Sequence, residues 1–316
     1  IEGGNHITMA KTAALTGLEF ANALYKLNPD VVLIRGDRFE QLAIAMVSAY
    51  LNKTIAHIEG GDVSGTIDES VRHAITKLAH LHFVTNKEAR RRLIKMGENP
   101  RTVFHVGSPD VEFAAISKKR LDPELINSIG TGDQLDFNKP YSVIMHHPVT
   151  TERNNLRNTE ILLEAIDNLN LQAVWFWPNN DAGTNDVSKA IRHAREIGQL
   201  KNHKIHFLTD ILPEDFIALL RHSKLLIGNS SAGIKECSYL GVPVVNLGTR
   251  QQNRLRGPNV ADADYIEADI KKAIKNQLAH GFYSSSNLYY RPQTSRAIVD
   301  RLSKVRLYQQ KKFYEA

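Results

Sequence analysis

From Pro29 onward, short runs of β-branched and other apolar residues alternate with stretches whose apolar positions recur at helical spacing. DVVLIR (Asp30–Arg35) predicts a buried strand, and Phe39–Leu51 a helix. Thr54–Ile58, Leu81–Val84 and Val103–Val106 continue as strands, with helices over Asp68–His80 and Lys87–Met96. Strands and helices alternating through short connections are the signature of a parallel sheet covered on both faces. Right-handed crossovers then gather the C-terminal ends of all strands on one edge, where such folds bind ligands.

The polar, Gly- and Pro-bearing stretch 117–139 breaks this rhythm and reads as a short helix plus linker at a domain boundary. A second ladder follows. Tyr141–Met145, Ala173–Trp177, Ile205–Leu208, Leu225–Ile227 and Val242–Leu247 are its strands. Its helices fall at Thr159–Leu169, Asp186–Ile197, Pro213–His222 and Ala232–Leu240, with closing helices at Ile266–Leu278 and Arg296–Lys311. The expected organisation is α/β, with two Rossmann-like domains facing a cleft over residues 1–125 and 139–290, and a C-terminal closing helix in 291–316. The chain does not begin with Met, and its first clear element is a helix (Lys11–Leu27) rather than a strand. N-terminal strands of the first domain are therefore expected to be missing.

Composition narrows the class. A hydrophobic share of 42% and a charged share of 23% over 316 residues fit a folded globular chain. The longest apolar runs are strand-sized, far below the roughly 20 residues of a membrane helix, and Ile1-Glu2-Gly3-Gly4 is not a secretory start. One cysteine, Cys237, excludes an internal disulfide framework and a Cys-based zinc site. A cytoplasmic enzyme is expected. The net charge of +6 is spread out, and Arg90-Arg91-Arg92 sits in an amphipathic helical pattern, so nucleic acid is not the expected partner. A moderate positive excess also suits a diphosphate substrate.

Chemistry-bearing residues cluster at strand ends. Gly36-Asp37-Arg38 follows the first strand, where Asp37 is either a helix cap or a carboxylate aimed at ligand. His57-Ile58-Glu59-Gly60-Gly61-Asp62 ends the next, with paired glycines that permit tight turns and close ligand approach. Ile67–His73 opens a helix in which Asp68 and Arg72, and Glu69 and His73, lie four apart. Macrodipole acids with a surface ion pair would explain that segment equally well. Yet Asp37, Glu59 and Asp68 share one sheet edge, and clustered carboxylates divide acid and base work between them.

In the second domain, His146-His147-Pro148 and Pro178–Gly183 follow two strands, and both also fit ordinary turn chemistry. LLIGNSSAGIKE (Leu225–Glu236) runs a buried strand into Ser230 and Ser231, where a helix start would offer N–H groups and hydroxyls to an anion. Glu236 lies about a turn further, placed for ribose hydroxyls, and NLGTRQQNR (Asn246–Arg254) brings arginines to the same edge. No Walker A loop, nucleophile elbow or metal-ligand spacing occurs.

IRGDRFE, HIEGGDVSGTIDESVRHAITKLAH, HHPVTT, PNNDAG, IGNSSAGIKE and NLGTRQ, in that order, resemble the hydrolysing UDP-N-acetylglucosamine 2-epimerases. The similarity runs from about Leu18 through Arg250, and the block His57–His80 is its most specific part. The resemblance implies a GT-B-like fold, no metal or nicotinamide cofactor, and a homodimer or homotetramer. It implies that Asp37, Glu59 and Asp68 are the catalytic carboxylates, with Arg72 and His147 beside them. It places His147, Ser230, Ser231 and Glu236 at the UDP, with Asn180, Arg250 and Asn253 as further contacts. The family's first strand and its basic phosphate-contacting turn have no counterpart before Ile1. The competing readings are a 2-epimerase for a bacillosamine-type sugar, a non-hydrolysing 2-epimerase, a GT-B glycosyltransferase and a non-catalytic UDP-sugar sensor.

Overall fold

Asn5 opens the first helix, α1 (His6–Leu27), by accepting the Thr8 N–H at 3.0 Å while Thr8 reaches back to the Asn5 N–H. This capping box starts the helix ahead of Lys11, where apolar spacing first becomes regular. In the computed structural model, residues 3–167, 169, 171–200, 203–308 and 310–315 are described. They form two units, Ile1–Glu112 with Tyr289–Ala316, and Phe113–Leu288.

The first unit continues as β1 (Val31–Arg35), α2 (Phe39–Tyr50), β2 (Thr54–Ile58), α3 (Ile67–Leu78), β3 (Leu81–Val84), α4 (Lys87–Lys95) and β4 (Val103–His105). Its sheet is parallel throughout in the order β1-β2-β3-β4. One face packs Val32, Ile34 and Ile55 against Leu24, Ile44, Val71 and Ile75 of the helices. The other face packs Ala56, Ile58, Leu81 and Phe83 against Ile298. Burial on both faces is why β2 and β3 read as largely apolar runs, whereas β1, expected to be buried, leaves Leu33 51% exposed and is covered on one face only.

The chain leaves this unit within α5 (Pro109–Ile116). The second unit holds α6 (Pro123–Ser128), β5 (Thr131–Gly132), β6 (Tyr141–Met145), α7 (Asn155–Ile166), β7 (Gln172–Phe176), α8 (Thr184–Glu196), β8 (Ile205–Leu208), α9 (Pro213–His222) and β9 (Leu225–Gly228). It ends with α10 (Ser231–Ile234), α11 (Glu236–Leu240), β10 (Val244–Leu247), β11 (Val260–Ala263) and α12 (Glu267–His280). The sheet order is β11-β10-β9-β6-β7-β8-β5, parallel except for β5.

Two expected helices take a different form. The helix expected over Ala232–Leu240 is broken at Lys235 (φ −98°, ψ −71°), so Ser231–Ile234 is a single turn. That turn lies tight on the sheet, since a Cβ on Gly233 would come within 2.9 Å of Val244. The closing helix is α13 (Thr294–Leu302), not Arg296–Lys311. Beyond it the chain is drawn into backbone and ionic contacts of the first unit. Tyr308 donates to the His80 carbonyl at 2.9 Å, and Lys311 pairs with Glu98 at 2.5 Å. Glu98 is buried and also holds Lys77 at 2.7 Å, and a buried carboxylate demands such partners. Gln309, within the expected helix, and Asn168, within the one expected over Thr159–Leu169, lie outside the described residues, as does the opening Ile1-Glu2. Among the described residues, no helix is long and apolar enough to cross a membrane.

Candidate active site

In the first unit, the C-terminal ends of β1 and β2 and the start of α3 carry the acids. Asp37 follows β1 through Gly36, and Arg72 reaches it from α3. The Arg72 Nε donates to Asp37 Oδ2 at 2.9 Å, and Nη2 donates to the same oxygen. The remaining Arg72 bonds go to the Asp62 carbonyl at 2.8 Å and Ser64 Oγ at 3.3 Å. Arg72 is 1% exposed, so it is a buried guanidinium tying the segments after β1 and β2 together rather than half of a surface ion pair. Asp62 is itself fixed by the Asn86 amide at 2.8 Å.

Glu59 adopts φ 70°, in the left-handed region that non-glycine residues avoid, and accepts Ser108 Oγ–H at 3.0 Å. Holding a residue there costs about 1–3 kcal/mol, which neighbouring structure must offset. Behind it, Gly60 lies against the His57 ring, where a Cβ would approach Nδ1 to 2.9 Å. His57 is fully buried, and its Nε2–H donates to the Gly36 carbonyl at 2.9 Å, bracing the turn that carries Asp37. Burial lowers its pKa to about 4, only partly offset by that bond, so the ring is neutral.

Asp68 sits in the first turn of α3 but is not its cap. Thr66 holds that position and accepts the Asp68 N–H at 3.3 Å. Glu69 accepts the Ser64 N–H at 2.6 Å and lies 3.8 Å from His73. The spacing argument thus recovers Glu69 with His73, whereas Arg72 is committed to Asp37, Asp62 and Ser64.

The second unit presents amides, hydroxyls and a guanidinium. His147 follows β6, and its Nδ1 accepts the Asn179 N–H at 3.3 Å. Asn229 follows β9 and binds the His147 backbone N–H and carbonyl, each at 2.8 Å. Arg250, after β10, donates to the Asn229 carbonyl at 3.1 Å and lies 3.9 Å from Asp181. Gln251 donates to the same carbonyl at 2.9 Å. Ser230 caps α10, accepting the Ala232 N–H at 3.3 Å, and Ser231 and Glu236 open α10 and α11. A single helical turn carries little macrodipole, so what α10 itself can offer an anion is limited to local N–H groups and hydroxyls.

Asn180 is exposed, and its neighbours Asn179 and Asp181 are the ones beside His147 and Arg250. Asn253 is also exposed, at φ 60°, on the rim of a pocket of about 470 Å³ shared with Thr249, Arg254, Arg256 and Asp262. His146 is buried edge-on to Tyr265, with ring centroids 5.7 Å apart, and burial lowers its pKa to about 4. Asn229, Gln251, Asp62, Ser64 and Ser108 were not singled out from sequence. Only their presence inside or beside the strand-end motifs hinted at them. Among the described residues, no group of three or more His, Cys, Asp or Glu is placed to hold a metal ion.

The family model described as UDP-N-acetylglucosamine 2-epimerase matches residues 2–303. A UDP-N-acetylglucosamine 2-epimerase of Neisseria meningitidis is 35% identical over 281 residues, covering 89% of this chain and 71% of that protein. A UDP-N,N'-diacetylbacillosamine 2-epimerase (hydrolyzing) of Legionella pneumophila is 32% identical over 311 residues, 98% of this chain and 80% of that protein. The crystal structure of the UDP-GlcNAc 2-epimerase from Neisseria meningitidis bound to UDP-GlcNAc superposes with a TM-score of 0.77 at 17% identity, over 96% of this chain and 84% of that one. At that identity the structural likeness establishes the GT-B-like fold, and the sequence matches carry the family. With nearly its whole length matched by the family model and such relatives at 32–35% identity, the chain belongs to the UDP-N-acetylglucosamine 2-epimerase family.

Proposed function

We propose that the protein is a hydrolysing UDP-N-acetylglucosamine 2-epimerase, releasing UDP and free N-acetylmannosamine of the kind used for sialic-acid-type sugars. The observation that carries this reading is the acidic edge of the first unit, where Asp37 is oriented by buried Arg72 and shares its edge with Glu59 and Asp68. The C2 proton of the sugar is not acidic while no carbonyl adjoins it. Breaking the C1–O bond first sends its electron pair to the departing UDP, and the resulting oxocarbenium character acidifies C2–H. A carboxylate takes that proton, and the C–H pair forms the C1=C2 bond of a 2-acetamidoglycal. Protonation of C2 from the opposite face and attack of water at C1 then give the epimer. Two differently disposed acid/base groups are needed, and Asp37, Glu59 and Asp68 supply them.

His147, Ser230, Ser231 and Arg250 are assigned to the diphosphate, stabilising charge on the leaving group, with Glu236 on the ribose and Asn180 and Asn253 at the rim. A pure UDP-sugar sensor explains the acids poorly, since a diphosphate gains nothing from three carboxylates, and transfer to an acceptor in the assay below would mark a glycosyltransferase. A second reading, hydrolytic epimerisation of a bacillosamine-type nucleotide sugar, is favoured by the Legionella relative, whose similarity extends over 98% of the chain. The assembly is proposed to be a homodimer or homotetramer, read by light scattering.

Incubation with UDP-N-acetylglucosamine, and separately with the bacillosamine analogue, followed by analysis of nucleotide and sugar, tests these readings. Free UDP with free N-acetylmannosamine is the expected result. UDP-N-acetylmannosamine would mean a non-hydrolysing enzyme, and turnover confined to the analogue would shift the substrate.

A further inference from the structure

One buried amide joins three of the loops at the second unit's strand ends. Asn229 is 0% exposed. Its Oδ1 accepts the His147 N–H and its Nδ2 donates to the His147 carbonyl, so one side chain satisfies both backbone polar groups of that histidine. The Asn229 N–H donates to the Met145 carbonyl at 3.0 Å, and its own carbonyl accepts from Arg250 and Gln251. Gly228 makes this approach possible. It adopts φ 139°, and a Cβ there would lie 2.0 Å from the Met145 carbonyl oxygen.

The consequence is a fixed histidine. A backbone N–H can only donate, so the Asn179 N–H on His147 Nδ1 makes that nitrogen the acceptor, and the neutral ring carries its proton on Nε2. Asn229 holds the backbone that carries the ring and the Asn179 N–H holds the ring itself, so together they set where that Nε2–H points. Donors fixed before the ligand arrives are worth more than donors that must reorganise.

We propose that Asn229 is a positioning residue for UDP recognition. Its side chain locks His147 in the Nε2–H orientation that serves a diphosphate, and its carbonyl anchors Arg250 beside it. This rests on the assignment of the second unit's edge to UDP. Asn259 provides a control. It is equally buried and makes bonds of the same kind, accepting Ser238 Oγ–H at 2.8 Å and donating to the Val242 carbonyl at 2.9 Å, but it precedes β11 rather than following a strand.

The test is calorimetric titration of UDP into the full chain and its Asn229→Ala, His147→Ala, double Asn229→Ala/His147→Ala and Asn259→Ala variants. Nitrogen NMR of the His147 ring is recorded without ligand. Losing one hydrogen bond to a charged group costs about tenfold to 10²-fold in affinity, so Asn229→Ala is expected to weaken UDP by about that range. Because its side chain acts through His147, the double variant should bind within about twofold of His147→Ala alone. Asn259→Ala should lower the melting temperature and leave affinity within about twofold of wild type. Should Asn229→Ala not fold, Asn229→Ser shortens the side chain away from the His147 backbone without adding a charge, and the same loss of affinity is expected. Its His147 ring should leave the single Nε2–H tautomer of the wild type. Wild-type affinity in the Asn229 variants, additive losses in the double variant, or an unchanged tautomer would overturn the proposal. Wild-type protein without UDP affinity would instead overturn the UDP assignment, while the tautomer still decides what Asn229 does.

Discussion

The two sheet edges share a parallel-strand architecture and differ in nearly everything chemical. In the first unit the edge is acidic, and a buried guanidinium orders it: Arg72 gathers Asp37, the Asp62 carbonyl and Ser64. In the second, a neutral amide, Asn229, does the equivalent work on His147, Arg250 and Gln251. An ordered cluster of carboxylates suits proton transfer, and an ordered set of neutral and cationic donors suits an anion. Parallel strands decide only where side chains emerge, and what emerges decides the reaction.

If that division holds, substitutions on the two edges should separate rate from affinity. The largest effect is expected on the acidic edge. Asp68→Asn removes an acid/base group, and losing one costs about 10²–10⁴ in rate. Helix α3 should be unaffected because Thr66 caps it, and UDP affinity should stay near wild type. Turnover assays and mass spectrometry of the released sugar check this, and a glycal by-product would place Asp68 in the hydration step. Wild-type turnover would remove Asp68 from the chemistry and blur the contrast between the edges.

On the other edge, Glu236→Ala should weaken UDP binding by about 1–3 kcal/mol, the range for a lost hydrogen bond to a charged group. Calorimetry with UDP alone reads it. Unchanged affinity would return Glu236 to an ordinary helix-start acid.

A separate effect, read in stability rather than in rate or affinity, concerns a feature both units share. His57 and His146 are each buried and held at about 4 against an ordinary 6.5, with burial as the main cause. Because the folded pKa is depressed, the unfolded chain takes up these protons first. Stability should therefore fall as pH drops from about 6.5 toward about 4 and level off below, by on the order of 1 kcal/mol per pH unit for each ring. Denaturant melts across that range, with His57→Gln flattening part of the slope, check it. A profile that is flat between those limits would contradict the burial argument.

Much of the fold was legible because the central strands are buried on both faces and read as apolar runs: β2 is buried throughout, as are β8, β9 and β10. The edge strands β5 and β11 were missed. One is two residues long, and the other, Val260–Ala263, is mostly solvated and carries no such run. The break at Lys235 was invisible because SAGIKECSYL has the composition of one helix. Motif segments at strand ends were legible as well, since alternation alone fixes which ends share an edge. The partners that order them were not. Arg72 finds Asp37 from thirty-five residues away, and Asn229 finds His147 across eighty-two, distances at which local spacing carries no information.

The central claim is that the acidic edge exchanges the C2 proton of the sugar during a hydrolytic epimerisation. Turnover of UDP-N-acetylglucosamine in heavy water, with mass and NMR analysis of the product, addresses it most directly. The account predicts free N-acetylmannosamine bearing one solvent deuterium at C2, alongside free UDP. Free N-acetylmannosamine retaining its original C2 hydrogen would contradict the elimination chemistry assigned to Asp37, Glu59 and Asp68.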